Sequence, residues 1–409
     1  MEVRILMIYL DNAATTEPKI RIVDAMLPYL YKDFYNPSSY YSKSRNVKRV
    51  ISMVKHSTNM FLHGFNEYAS RNFEDEIIFT SGASESNCLA IEGFIKQAKI
   101  ENKKPVIITT MIEHKSIIEC VDNESNITIY VPVDKNGIIY SDRLEHYMDF
   151  YNSNDYKVLV SIQYANNEIG TIQDIKFISD IVHKNRNAIL HTDCTQALGK
   201  VNINVNEDNI DMLSASGHKI GCPKGIGILF KRKNVKIKPI IYGTQMNGLR
   251  GGTENVASIV GWNEAIKICQ EDIENNRYDS LYSIKVYLEN QLKQKLYNVQ
   301  FNGIDGLYNI LSVTFGNNCI NAERLVYALD MDDIYISTGS ACNSHSEKPS
   351  HVLKAIGLSD EEASRTIRIS LPYNVTQKEI DIFLNILEKE IDLQIKMNGG
   401  IEDEKFRSI

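Results

Sequence analysis

Short apolar segments that alternate with helical segments constrain the fold of this chain more than any other feature. Four continuous, mainly apolar runs stand at positions 76–80, 105–109, 158–162 and 188–191. The segments 85–97 and 175–184 between them have the apolar spacing of helices. Strands that are apolar along their whole length are buried on both faces, which is typical of a parallel sheet covered by helices. The sequence therefore predicts an α/β fold with a mainly parallel central sheet.

The pattern changes beyond about residue 261. Leucine and isoleucine recur on one helical face at positions 281, 284, 288, 292 and 296. Strands are indicated at 310–315 and 366–370, and Thr376 with Glu379 forms a capping box before the last helix. We therefore predict a large domain at residues 15–260, a smaller α+β domain built from residues 1–14 and 261–395, and a mobile tail at 396–409.

The charge and the cysteine content exclude several classes of protein. With 45 basic against 52 acidic residues, the net charge of −7 gives no general attraction to nucleic acid or to acidic membranes. The seven cysteines are scattered and form no Cys-x-x-Cys pair, which argues against a disulfide framework and against a zinc site. No apolar segment of about 18 residues is present. We predict a cytoplasmic protein with no membrane contact, no direct nucleic-acid partner and no resident metal.

A lysine among glycines and a proline is the first candidate for chemistry. Lys219 follows the small polar segment 214–216 and is flanked by Gly217, Gly221 and Pro223. Glycine and proline fix unusual backbone directions, so this lysine is expected in a shaped loop. A lysine amine in a partly dry pocket can lose its proton near neutral pH and attack a carbonyl, forming a Schiff base. On its own, the pattern more often marks an ordinary solvated lysine.

Polar residues also follow several predicted strands, at the ends where such sheets bind ligands. Segment 80–84 (Thr-Ser-Gly-Ala-Ser) could expose backbone N–H groups to an anion, although a plain helix cap is equally frequent. Asp193 could pair with a protonated heteroaromatic nitrogen, or cap a helix. His114 could stack on a planar ring or move protons, or be a structural histidine. Segment 166–170 (Asn-Asn-Glu-Ile-Gly) has a simple turn as its alternative.

One cysteine differs from the others in its surroundings. Cys342 lies within a segment of small and polar residues, 337–346, that offers nothing to bury it. A thiol on a polar, flexible arm is a plausible nucleophile, because its thiolate is the reactive form. The alternative is a loop thiol without a function.

These weak signals support one another when they are taken together. An anion site, a carboxylate, a histidine, an asparagine and a lysine all follow successive predicted strands. Such a set would hold a phosphorylated pyridine aldehyde, with the lysine as its Schiff-base anchor.

The sequence resembles the group I cysteine desulfurases of the NifS/IscS type, which are fold-type I enzymes of the class V aminotransferase group that use pyridoxal 5'-phosphate. The resemblance extends from segment 10–16 to segment 368–371. It is carried by long motifs, at residues 80–86 (Thr-Ser-Gly-Ala-Ser-Glu-Ser), 166–170, 216–219 (Ser-Gly-His-Lys), 250–253 (Arg-Gly-Gly-Thr) and 339–342 (Gly-Ser-Ala-Cys).

The resemblance implies a role for each matching residue. Lys219 would carry the cofactor, Asp193 would hold its pyridine nitrogen, Gln196 its phenolic oxygen, and His114 would stack on its ring and manage the thiol proton. The residues implied for the phosphate are Ala83, Ser84, Ser216 and His218, with Thr253 reaching in from a second subunit. The residues implied for the substrate carboxylate are Asn167, which would also contact the cofactor, Arg368 and, nearby, Asn36.

The resemblance also implies the reaction and the partners. L-cysteine would lose its sulfur to the Cys342 thiolate, giving L-alanine and a persulfide on Cys342. A homodimer is implied, together with sulfur-acceptor proteins such as an iron–sulfur scaffold or a transfer-RNA thiolation enzyme. The only metal contact implied is a transient one between Cys342 and a cluster.

Two other functions remain open from the sequence. The first is a related pyridoxal-phosphate lyase or transaminase, for instance one acting on selenocysteine, in which Cys342 is incidental. The second is a weakly active scaffold that docks sulfur-acceptor proteins. Comparing the turnover rates of cysteine, selenocysteine and alanine distinguishes a related lyase or transaminase from a desulfurase. Measuring alanine release with and without an acceptor protein distinguishes the docking scaffold from a desulfurase.

Overall fold

The computed structural model of the chain describes residues 7–64, 77–122, 126–296, 298–303, 306–339 and 349–398. Within these ranges it contains 13 strands in three sheets. In chain order they are β1 (Ile8–Tyr9), β2 (Ile77–Thr80), β3 (Lys104–Thr110), β4 (Ile127–Val131), β5 (Tyr156–Ser161), β6 (Ala188–Asp193), β7 (Met212–Ser216), β8 (Gly227–Lys231), β9 (Val299–Asn302), β10 (Ile310–Phe315), β11 (Ile334–Tyr335), β12 (Ser337–Thr338) and β13 (Thr366–Ser370).

The same ranges contain 12 α-helices. In chain order they are α1 (Ile20–Tyr31), α2 (Ser42–Leu62), α3 (Ala83–Ile100), α4 (Lys115–Val121), α5 (Ser141–Phe150), α6 (Ile175–Val182), α7 (Val256–Glu274), α8 (Arg277–Lys295), α9 (Ala322–Asp330), α10 (His351–Ala355), α11 (Asp360–Ser364) and α12 (Gln377–Met397).

The largest sheet has seven strands in the order β2-β8-β7-β6-β5-β3-β4. All neighbouring pairs are parallel except those of β8, which runs antiparallel to both β2 and β7. Every residue of β2, β7 and β8 is buried. Because successive side chains point to opposite faces, burial along a whole strand means that both faces are covered. The predicted α/β fold with a mainly parallel central sheet is confirmed.

A second, smaller sheet has the antiparallel order β12-β13-β10-β9, and β1 pairs in parallel with β11. The predicted capping box is present, with Thr376 Oγ1 accepting from the Glu379 N–H at the start of α12. Apolar residues of α8, α9, α12, β10 and β13 form a core separate from that of the large sheet. This is the smaller α+β unit that the sequence indicates.

Two observations bear on where one unit gives way to the other. Ile8 and Leu10 belong to the second core, so the N-terminal segment packs with the C-terminal part of the chain. The predicted boundary between residues 260 and 261 falls inside α7, which packs on α1 and α2 and whose apolar residues up to Cys269 belong to the first core. The residue limits of the domains stay a prediction, and residues 399–409 of the predicted tail lie outside the described ranges.

Within the described ranges, no helix combines the length and the apolar character that crossing a membrane requires.

Candidate active site

A cavity of about 630 Å³ lies at the carboxyl ends of the parallel strands. Loops that follow β2, β3, β5, β6 and β7 line it, because parallel strands bring their carboxyl ends to one edge of the sheet. Ten of the residues predicted from the sequence lie in its wall: Ala83, Ser84, His114, Asn167, Asp193, Gln196, Ser216, His218, Lys219 and Arg368.

Three predicted residues are not part of this wall. Asn36 is exposed, and its side chain accepts a hydrogen bond from the Ser38 N–H. Thr253 lines a neighbouring cavity of about 250 Å³. Cys342 lies outside the described residues.

The loop after β7 gives Lys219 its position. The strand ends in a 3₁₀ turn, Gly217–Lys219. A Cβ on Gly217 would lie 2.6 Å from a neighbouring side chain, and Gly221 has a φ of +87°, so this loop requires glycine at both positions. The shaped loop that the sequence predicts around this lysine is present.

The amine of Lys219 is held against the chain segment that follows β1. Its Nζ donates to the carbonyl oxygens of Ala13 and Ala14, at 2.6 Å each. Behind it lies Lys200, which is buried and donates to the carbonyl oxygens of Gln196 and Lys219 at 3.0 and 3.5 Å. Burial lowers the pKa of Lys200 to about 8. The backbone around the candidate Schiff-base lysine is therefore tied down on two sides.

The N-terminus of α3 is a candidate anion site. Its N-cap residue, Gly82, makes no side-chain capping bond, and first-turn N–H groups have no partner within a helix. The Ser216 hydroxyl lies close to the start of α3, since its Oγ would be 3.7 Å from a Cβ placed on Gly82. Glu85 in the first turn is paired with Arg250 at 2.8 Å, so its charge is compensated. Burial lowers the pKa of His218 to about 4, which leaves this ring neutral.

A carboxylate and an imidazole lie farther along the same edge. Asp193 ends β6, is 6% exposed, and accepts from the Thr195 N–H at 2.9 Å and from Asn87 Nδ2 at 2.8 Å. His114 is the N-cap of α4, where its Nδ1 accepts from the Ser116 N–H at 3.1 Å. Both side chains line the cavity with fixed partners.

Arg368 of β13 extends from the second core into the cavity wall. It is 2% exposed, and its Nη2 bonds Asp11 Oδ1 at 2.7 Å, while Nη1 donates to the Asn167 carbonyl at 3.0 Å. Its Nε is buried and has no partner among the described residues. A fixed guanidinium with an unused donor suits a carboxylate ligand.

Two more polar atoms of the wall, Gln196 Oε1 and Thr195 Oγ1, are buried and lack a partner in the described part of the chain. Buried polar groups are normally satisfied, so unpartnered ones that line a cavity indicate a polar ligand there.

Two buried carboxyls in this region were not anticipated from the sequence. Burial raises the pKa of Glu113 to about 8, and its oxygens accept from Thr110 Oγ1 and the Gln163 N–H. Burial also raises the pKa of Glu168 to about 7, and Ser350 Oγ donates to its Oε2 at 2.5 Å. Both therefore hold protons at a pH where exposed glutamates have released them.

Other site residues were also missed. Asn87 and Ser116 contact predicted residues, His351 lines the cavity, and Asp11 holds Arg368. Only Asp11 had a sequence signal, because it lies in a polar turn of small residues at 11–16. The others lie inside or at the start of helices, where no local pattern distinguishes them.

Comparison with known proteins gives consistent matches. Residues 8–383 match the model of the family described as Aminotransferase class-V. The chain is 38% identical over 402 residues to the cysteine desulfurase IscS of Clostridium botulinum, covering 97% of each chain. It is similar to the structure of a NifS-like protein, with a TM-score of 0.84 and 31% identity over 95% of this chain and 100% of the other. A structure described as SspA in complex with cysteine matches with a TM-score of 0.73 and 33% identity, over 90% of this chain and 99% of the other.

Proposed function

Because this chain belongs to the class-V aminotransferase family, whose members depend on pyridoxal phosphate, and is similar over nearly its whole length to IscS-type relatives, we propose that it removes sulfur from L-cysteine. The family match and the full-length similarity to IscS-type relatives confirm the family and the reaction class predicted from the sequence, that of a cysteine desulfurase. The assignment of the individual site residues and of the persulfide to Cys342 is the finer part of the proposal.

The observation that carries the proposal is the lining of one cavity by Lys219, Asp193 and Arg368, beside the uncapped start of α3. An amine, a carboxylate, a guanidinium and an anion site are what a phosphorylated pyridine aldehyde and an amino-acid substrate require. Gln196 Oε1 and Arg368 Nε, which have no hydrogen-bond partner in the part of the chain that the structure describes, support this fit.

Each residue then has a defined task. Pyridoxal phosphate, when bound, supplies an aldehyde that links to amines and a ring that accepts electrons. We assign its phosphate to Ala83, Ser84, Ser216 and His218, its ring nitrogen to Asp193 and its phenolic oxygen to Gln196. Thr253 of a second subunit would complete the phosphate site.

On the substrate side, Arg368 and Asn167 orient the carboxylate of L-cysteine. Lys219 Nζ takes the Cα proton once the substrate occupies the cavity. A carboxylate at Asp193 keeps the ring nitrogen protonated, because an opposite charge nearby favours the charged form. His114, held at the cavity wall, manages the proton of the incoming thiol.

The sulfur transfer itself balances without a further reactant. The Cys342 thiol and L-cysteine give L-alanine and a Cys342 persulfide, as the C–S bond of the substrate breaks and an S–S bond forms. The persulfide would be delivered to an acceptor protein, such as an iron–sulfur scaffold or a transfer-RNA thiolation enzyme. A homodimer and a cytoplasmic location complete the proposal, and both stay predictions.

The test is turnover of L-cysteine by the purified protein with added pyridoxal phosphate. We expect equal amounts of alanine and, with a reductant, sulfide. Cys342→Ala should keep the absorption band of the bound cofactor and lose turnover, whereas Cys319→Ala, a half-buried free cysteine outside the cavity, should keep both. Full turnover by Cys342→Ala would remove the persulfide role, and a protein that binds no cofactor would remove the proposal as a whole.

A further inference from the structure

Two residues with no assigned role join two of the proposed site residues. The side-chain amide of Asn87, in α3, donates through Nδ2 to Asp193 Oδ2 at 2.8 Å and to Ser116 Oγ at 3.0 Å. Ser116 Oγ is in turn 2.8 Å from Nδ1 of His114. One continuous set of hydrogen bonds therefore runs from the carboxylate at the end of β6 to the imidazole at the start of α4.

The chemistry of the partners fixes the direction of each bond. The carboxylate of Asp193 only accepts, so Asn87 must present its NH₂ group to it. The second N–H of that group goes to Ser116 Oγ, which leaves the hydroxyl hydrogen for Nδ1 of His114. The Ser116 backbone N–H donates to the same Nδ1 at 3.1 Å. Nδ1 is thus an acceptor twice, and the neutral ring carries its proton on Nε2.

The position of Asn87 is costly for stability. The residue is fully buried, and its Oδ1 has no hydrogen-bond partner among the described residues. A buried acceptor without a partner opposes folding. An apolar residue at this position would avoid that cost but would leave Asp193 Oδ2 and Ser116 Oγ without their donor, so the amide serves these two contacts.

We propose that Asn87 is a positioning residue that holds the Asp193 carboxylate and, through the Ser116 hydroxyl, the ring orientation of His114, in the tautomer that the Ser116 backbone N–H also favours. The inference rests on the proposed function, in which these two groups act on the same bound ring. A single amide then positions both side chains, so that His114 would present its Nε2–H to the cavity and Asp193 would keep the position from which it pairs with the ring nitrogen of the cofactor.

The first test compares Asn87→Ala and Ser116→Ala with the unaltered holoenzyme. Both variants should have a lower kcat, by roughly 10- to 100-fold for Asn87→Ala and less for Ser116→Ala, because the reaction rate falls steeply when a catalytic group is displaced. KM for L-cysteine should stay within about twofold, since Arg368 is outside the network. The control is Ser179→Ala, which removes a serine of α6 that lies 2.9 Å from Nδ1 of His183, the C-cap residue of that helix, and it should leave kcat unchanged.

The double variant tests whether the contacts form one network. If they do, the loss of kcat in the double variant should be smaller than the product of the two single losses, because the orientation of the Ser116 hydroxyl depends on the donor that Asn87→Ala removes. Losses that multiply would show two independent effects and would overturn the inference.

A measurement without turnover tests the tautomer. In protein with ¹⁵N-labelled histidine, assigned with His114→Gln, Nδ1 of His114 should have the shift of an unprotonated nitrogen and Nε2 that of a protonated one. In Ser116→Ala the backbone N–H keeps this tautomer, but the Nδ1 resonance should move. A His114 protonated on Nδ1, or resonances identical in both proteins, would refute the proposal even if Asn87→Ala failed to fold. If the unaltered enzyme formed no alanine from L-cysteine, the proposed function itself would be refuted instead.

Discussion

Replacing Glu113 by glutamine should change how the stability of the protein depends on pH. Burial, assisted by the charge of Asp193, raises the pKa of Glu113 from 4.5 to about 8. Between these values the folded protein keeps a proton that the unfolded chain has released. The free energy of unfolding therefore falls as pH rises through this window, and the fall is complete above about pH 8. Glutamine is neutral throughout and keeps an oxygen for the Gln163 N–H, so the variant lacks this dependence.

The size of the effect follows from the two pKa values. At about 1.36 kcal/mol for each pH unit, the whole window corresponds to roughly 5 kcal/mol, and the part from about pH 5.5 to pH 8 to roughly 3 kcal/mol. Urea unfolding of both proteins, with the cofactor present, measures this difference across the window. The fluorescence of Trp262, which is the only tryptophan and is fully buried, reports the transition.

Comparing the free energies of unfolding of two proteins at the same pH cancels the contributions of the titratable groups that both contain. Glu361→Gln, at an exposed position in α11, is the matched control and should follow the unaltered protein at every pH. If Glu113→Gln and the unaltered protein differ by a constant amount from about pH 5.5 to pH 8, the carboxyl is ionised in the folded state, and the argument from burial is wrong.

Four further changes test other parts of the structure. Arg368→Lys should raise KM for L-cysteine about 10- to 100-fold with the cofactor still bound, because lysine cannot present the planar guanidinium donors; an unchanged KM would exclude a carboxylate at this side chain. Asp11→Asn should lower the free energy of unfolding by about 1–3 kcal/mol in urea titrations, since Arg368 loses its ion partner at 2.7 Å. Lys200→Met should be more stable than the unaltered protein at neutral pH, and the difference should shrink between pH 8 and 10.5, because the lowered pKa lets the folded state release its proton first. Phe383→Ala, at a fully buried site in the second core, should cost about 3–5 kcal/mol in the same titrations.

Much of the fold could be predicted because the sequence pattern is local. The runs at 310–315 and 366–370 coincide with β10 and β13, and the helix predicted at 85–97 lies inside α3. Nine of the ten site residues in the cavity wall follow from a single rule, namely that loops at the carboxyl ends of parallel strands share one edge, whereas Arg368, in β13 of the smaller sheet, came only from the family resemblance. The neighbourhood of these nine could therefore be expected before any contact was known. Residue chemistry suggested the roles of Lys219, Asp193 and His114, and the family resemblance supplied the roles of the others.

What could not be predicted depends on contacts between distant segments. The apolar residues of β8 do not show that it runs antiparallel to its neighbours, since a buried strand has the same composition in either direction. Glu113 precedes a histidine in a loop, and only the fold shows that it is fully buried. Asn87 lies within a helix, where its contact with Asp193, 106 residues away, leaves no local pattern.

The wall of the cavity that carries Arg368 is built by both cores. Arg368 belongs to β13, whose apolar neighbours pack in the second core, while the Asn167 carbonyl that accepts its Nη1 follows β5 of the large sheet. Asp11, which bonds Nη2, lies in the segment that leaves β1 and leads to the Ala13 and Ala14 carbonyls that hold the Lys219 amine. A change that shifts the second core therefore displaces the guanidinium and the lysine contacts together. Because neither core could form this wall alone, the guanidinium that we propose for substrate binding and the amine that we propose as the reactive group depend on the same few hydrogen bonds between the two units.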